Sequence, residues 1–199
     1  MSIAMRTAAA TAVAAAIAAT TAFAPSPTSV TVTQGVFQSP AHNARSAAVT
    51  YDRAAVPEFS RIQVTQRTHG GRAGNGGTQV GLRVHELQPN RAFGAHVHSE
   101  ACGAKPDASG PHYQNRKDPA AAHGKPSTNP AYANPRNEVW LDLRTDPNGN
   151  GRSSADVNWR FRPGQAKSVV LHAHRTHTGP GQAGEAGDRL ACVNVGFKH

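Results

Sequence analysis

The sequence predicts an all-β domain, an eight-stranded antiparallel barrel or sandwich of Greek-key type with long functional loops, and three observations carry that expectation. From about residue 47 onward the apolar residues recur with period two and almost never with the helical period, as half-buried strands do. Turn-forming clusters such as HGGRAGNGG and DPNGNG punctuate the runs. Short strands in that number, separated by turns, suit a closed or sandwiched antiparallel arrangement.

Val49 and Tyr51 open the series, Ile62 and Val64 continue it, and Val80, Leu82 and Val84 form a third run after the glycine-rich turn. Phe93, Ala95 and Val97 then alternate with Gly94, His96 and His98. An irregular stretch from Ser99 to Arg136 follows, carrying most of the domain's prolines. An insertion of that length inside a compact domain is usually functional. Strands resume at Val139, Leu141 and Leu143, turn at DPNGNG, and return through Ala155, Val157, Trp159 and Phe161 as a hairpin. Val169 with Leu171, and the stretch from Leu190 to Phe197, complete the set.

The chain begins with one basic residue, Arg6, and then runs uncharged from Thr7 to Ala24, ending in the small-residue pattern Ala22-Phe23-Ala24. That order reads as a secretory signal over residues 1–24. An alanine-rich anchor helix is the alternative, but alanine is weakly apolar and a spanning helix wants roughly 20 strongly apolar residues. Residues 25–46, rich in Pro, Ser, Thr, Gln and Asn, read as a flexible leader, and the folded domain is expected over 47–199. No membrane span is expected after signal removal. An exported protein meets oxidising surroundings, so the two cysteines, Cys102 and Cys192, are expected to form a disulfide.

The formal charge is +9, but the basic residues are scattered and only 6% of residues are aromatic. A nucleic-acid partner is therefore not expected; the charge favours small anions instead. Oligomeric state is not legible.

On a strand, residues two apart point to one face, so His96 and His98 can aim both imidazoles at one point. Taken alone, such a pair reads more readily as two solvated side chains on an edge strand. His112 in SGPHYQN, and His172 with His174 in VVLHAH, change that, because the domain can now supply four imidazoles, a donor set that suits copper or zinc.

The motifs GAHVHSEACG, GPHYQN, VVLHAH and AGDRLAC, in that order over residues 94–192, resemble the copper,zinc superoxide dismutase family. The resemblance implies that His96, His98, His112 and His172 bind copper and that Cys102 pairs with Cys192. It also implies that Arg189, three residues before the second cysteine, flanks the copper and guides superoxide. In the family the Gly-Pro-His histidine bridges copper to a zinc held by two further histidines and an aspartate. Between Tyr113 and Glu138 this chain has only His123, and Asn134 and Asn137 stand about where a histidine and an aspartate would be sought. A closed zinc site usually takes four ligands, so zinc is doubtful. The segment from Ala173 to Asp188 also looks shortened, without a clear match to the aspartate that links the two metals.

The pattern resembles the copper-only members of the family, in which a carboxylate can take over zinc's role by holding a copper-ligand histidine. Glu138 is the candidate, with a surface glutamate as good a reading. The implied function is an exported, copper-dependent conversion of superoxide to oxygen and hydrogen peroxide, with Arg189 and His112 as the catalytic residues. A copper-binding or copper-buffering domain without efficient turnover is the alternative.

Overall fold

The computed structural model describes residues 29–40, 47–70, 76–121 and 125–199. The signal segment, His42 and His123 lie outside these. The described residues form nine strands: β1 (Val30–Val36), β2 (Ala48–Thr50), β3 (Arg61–His69), β4 (Gly77–His85), β5 (Ala92–His98), β6 (Leu143–Arg144), β7 (Gly151–Val157), β8 (Ser168–His172) and β9 (Arg189–Asn194). One sheet has the order β1-β3-β4-β7 and the other β2-β9-β8-β5-β6, and every pairing between these strands is antiparallel. The molecule is a two-sheet sandwich and not a closed barrel.

The inner faces of the two sheets supply the core. Ile62 and Val64 of β3, Val80, Leu82 and Val84 of β4, Phe93, Ala95 and Val97 of β5, and Val169 and Leu171 of β8 form one buried cluster. Burial of each larger apolar side chain contributes about 1.5–3 kcal/mol. Tyr113, Trp159, Phe161 and Phe197 extend the cluster through a run of ring contacts with centroids 4.6 to 5.7 Å apart.

Several expectations need correction. The segment read as a flexible leader contributes β1, which pairs along its whole length with β3. The expected hairpin around DPNGNG does not form, because β6 pairs with β5 in one sheet while β7 pairs with β4 in the other. That turn therefore carries the chain between the sheets. Val139 and Leu141 are buried but lie outside any strand, where a single bridge joins Trp140 to His96. Trp159 and Phe161 follow the end of β7 and serve as core rings, not strand residues.

Strand β5 is buried on both faces. Phe93, Ala95 and Val97 face the core, so Gly94, His96 and His98 face the opposite way, beneath the long loop after β5 and the segment after β8. Gly94 has to be glycine: a Cβ there would lie 2.5 Å from the His174 carbonyl and 2.7 Å from Ala186 Cβ. Cys102 and Cys192 are joined in a disulfide that ties the start of the long loop to β9, 90 residues away in sequence. Asn194 reinforces the tie by accepting a 2.8 Å hydrogen bond from the Cys102 amide.

Candidate metal centre

Three backbone arrangements bring four histidines together. His96 and His98 share the outer face of β5, and β8 lies beside it with Gly94 opposite His172 and His96 opposite Val170. A register irregularity between Leu171 and His172 in the β8–β9 pairing falls at the third histidine, the kind of bulge that re-aims a side chain. The fourth arrives with the loop. Ser99 donates to the Pro111 carbonyl at 3.0 Å and Tyr113 to the Val97 carbonyl at 2.8 Å, so His112 lies bridged against His98. Gly110 makes that turn at φ +66°, a conformation L side chains rarely adopt.

One ring nitrogen from each of His96, His98, His112 and His172 lies within 4.8 Å of the others. His96 and His98 are fully buried and His172 is 4% exposed. The hydrogen bonds behind the rings decide which nitrogen faces inward. A carbonyl can only accept, so His98 Nδ1 donates to the Gly110 oxygen at 2.9 Å and His172 Nδ1 to the Gly187 oxygen at 3.1 Å. Both Nε2 atoms of the neutral rings then carry lone pairs, and they face each other at 3.3 Å. Two such lone pairs cannot hydrogen-bond; they repel unless a cation lies between them.

His112 Nδ1 donates to Glu138 Oε2 at 2.9 Å, which leaves its Nε2 as the free nitrogen. His96 is turned the other way round. Its Nε2 donates to Thr176 Oγ1 at 2.7 Å, and that hydroxyl donates to Asp142 Oδ1 at 2.6 Å. Its Nδ1 is buried with no hydrogen-bond partner. A buried, unpartnered nitrogen is costly unless something takes its lone pair. Four inward lone pairs, one orphaned and two opposed, fit a resident metal ion, and an all-imidazole set suits copper or zinc.

Glu138, 1% exposed, accepts three hydrogen bonds: from His112, from Gln114 Nε2 at 2.8 Å and from Trp140 Nε1 at 2.7 Å. It is a buried partner of the His112 ring and not a surface glutamate. Arg189 opens β9, opposite His172. Its Nη1 donates to Ser109 Oγ at 2.9 Å and to the Pro106 carbonyl at 3.2 Å, which aims the guanidinium across the loop that carries His112. Burial chiefly holds the His96, His98 and His172 imidazoles below their usual pKa, and the Arg189 charge adds to that lowering.

Sequence reasoning missed Asp142, Thr176, Gln114, Trp140 and Arg162. Arg162 donates to the Asn115 and Gln114 carbonyls and stacks 4.8 Å above the Tyr113 ring, clamping the loop just after His112. Asn134 and Asn137 staple the loop to itself, Asn137 by donating to the Arg116 and Tyr132 carbonyls at 2.8 and 2.7 Å. Asp118 accepts from Ser127 at 2.5 Å. Among the described residues no second group of three or more His, Cys, Asp or Glu comes together.

Burial, then the charge of His112, then Arg189, hold His172 down to about 3 from its ordinary 6.5, against a raising hydrogen bond to Gly187. His96 and His98 are lowered in the same direction, again chiefly by burial. Between pH 6.5 and about 3 the unfolded chain therefore binds a proton at His172 that the folded chain refuses, and the lowered His96 and His98 act in the same direction. Stability rises with pH wherever the unfolded state binds more protons. The metal-free protein is expected to lose stability as pH falls through this window, with these groups contributing nothing further above it. Urea titrations from pH 7 to 4 check this, and a midpoint unchanged over that range would contradict it.

A scan against known protein families finds no match, and a search of curated proteins finds none either. Among solved structures, a SOD-like protein from Bacillus subtilis shares 12% identity with this chain at a TM-score of 0.41, covering 75% of this chain and 97% of its own. A double mutant of a SOD-like protein from the same organism shares 12% identity at a TM-score of 0.44, covering 66% and 87%. The clock protein EA4 shares 20% identity at a TM-score of 0.42, covering 69% and 88%. These similarities are too remote to carry any residue's role from those proteins to this chain.

Proposed function

We propose that this chain is an exported, copper-dependent superoxide dismutase whose metal is held by His96, His98, His112 and His172. The observation that carries the reading is the set of four inward imidazole nitrogens, with His96 Nδ1 buried and unpartnered. Copper, when bound, supplies one-electron exchange, so that two superoxide anions and two protons become one oxygen and one hydrogen peroxide. Copper is preferred to zinc because the residues resembling a dismutase's substrate-guiding machinery accompany the ligands. The disulfide suits an oxidising compartment. Residues 1–24 are read as the signal that delivers the chain there.

The chain's own residues have separable tasks. Glu138, supported by Gln114 and Trp140, keeps a proton on His112 Nδ1 and fixes the ring, so Nε2 is the atom at which His112 can hold and pass a proton. Asp142 and Thr176 do the equivalent for His96, fixing the tautomer that leaves Nδ1 free. Arg189 carries a charge that no physiological pH removes. Among the described residues both of its hydrogen bonds use Nη1, which leaves Nη2 and Nε to attract and orient an anion. Scattered basic residues add long-range attraction.

The test separates turnover from metal holding. Arg189→Ala is expected to retain copper and fold while superoxide turnover falls substantially, and the wild-type rate is expected to fall as ionic strength rises. A copper-filled wild type whose rate is that of buffer, unchanged by Arg189→Ala, would favour a copper-buffering domain instead.

A further inference from the structure

The outer face of the β1-β3-β4-β7 sheet lies on the other side of the sandwich from the histidines, and its cations are unbalanced. Arg67 on β3, Arg83 on β4 and Arg152 on β7 are exposed, and none has a carboxylate partner among the described residues. The other charged groups on this face are already matched: Arg61 pairs with Glu86 at 3.2 Å and Asp156 with His69 at 3.3 Å. Arg83 and Arg152 are direct cross-strand partners. Like charges placed so are destabilising, a cost that an anion lying across both removes.

The arginines border a basin of about 460 Å³. Its floor is Gly81, with Thr65 opposite on one strand and Ser154 opposite on the other. A Cβ at Gly81 would meet nothing closer than 4.0 Å, so the floor is open, and two hydroxyls flank it as donors. Arg67 stands beside Gln79, four residues along β4 from Arg83, so the cations span about 13 Å along the strand direction. That length is too great for one small oxyanion. The four strands carry no Phe, Trp or Tyr on which successive bases could stack, and their two imidazoles are engaged at the rim, His69 with Asp156 and His85 with Asn150.

We infer that this face is a docking surface for an extended polymer of closely repeated phosphate groups without bases. Guanidinium forks match phosphate oxygens two at a time, and the Thr65 and Ser154 hydroxyls supply neutral donors between them. Docking there would hold the domain to a phosphate-bearing polymer while leaving the histidine centre on the far sheet open.

Inorganic polyphosphate is the probe, with copper-loaded, full-chain protein. Wild-type protein is expected to bind it with a salt-dependent affinity, and tighter than single-stranded oligothymidine of equal phosphate number. Replacing Arg67, Arg83 and Arg152 together with glutamine is expected to weaken binding at least about tenfold and to reduce the slope of log affinity against log salt by about 2, at roughly 0.7 per lost phosphate contact. Copper content should not change. A control removing three exposed charges elsewhere, Arg136→Gln with Arg144→Gln and Lys198→Gln, should leave most of the affinity. Equal loss in the two triple variants would overturn the proposal, and so would oligothymidine binding as tightly as polyphosphate.

Discussion

Replacing His172 with alanine is expected to abolish stoichiometric copper binding while leaving the metal-free fold intact. The side chain is 4% exposed and its Nε2 faces His98 Nε2 at 3.3 Å, with both Nδ1 protons committed to carbonyls. In the metal-free protein the ring contributes a lone-pair repulsion and one hydrogen bond to Gly187, so its removal trades a small cavity for relief of that repulsion. With metal the balance reverses, because a quarter of the donor set is lost. The affinity loss should exceed the roughly 10–100-fold typical of losing only a hydrogen-bonding partner behind a ligand. A metal that binds the folded state alone stabilises by about 4 kcal/mol at a thousand times its Kd. The wild type should therefore show a large rise in Tm on adding copper, and His172→Ala almost none. An equal copper-induced rise in the two proteins would remove His172 from the centre.

Reduction of Cys102–Cys192 is the second large effect expected. The bridge closes a loop of 90 residues, and constraining an unfolded chain of that span stabilises by about 4–5 kcal/mol on the chain-entropy account. Its position gives the loss a functional direction as well. The disulfide anchors the start of the loop whose turn at Pro106–Ser109 receives Arg189 and whose Gly110 carbonyl orients His98. Reduced protein, or Cys102→Ser with Cys192→Ser, should unfold at markedly lower urea and bind copper more weakly, since the orientation of the His98 ring depends on that loop. A double variant with wild-type midpoint and wild-type copper affinity would contradict this.

The strands whose inner face is apolar were legible, since β3, β4, β5 and β8 place Ile, Val, Leu and Phe inward at period two. Strand β1 was not, because its pattern is inverted. Val30, Val32 and Val36 point to solvent, while small Thr31, Thr33 and Gly35 turn inward, and Gly35 packs so close that a Cβ would lie 2.7 Å from Ala48 Cβ. Apolar periodicity alone puts such a strand in the wrong layer. Strand β6, two residues long, is too short to carry a period. In the metal centre the histidines could be read because strand periodicity and loop motifs mark them locally. Of their supports Glu138 could be named as a candidate and the others could not: Asp142 holds His96 through the hydroxyl of Thr176, 34 residues further on, and no local pattern announces a hydroxyl between a carboxylate and an imidazole.

The most direct test of the copper-dismutase account is the decay of superoxide in the presence of purified wild-type protein loaded with copper and zinc together, with both metals counted in the same sample. About one copper and little zinc per chain are expected, with a superoxide decay that is first order in copper-filled protein and far faster than in buffer. Stoichiometric zinc that survives a mild chelator, or full copper with decay no faster than buffer, would contradict it.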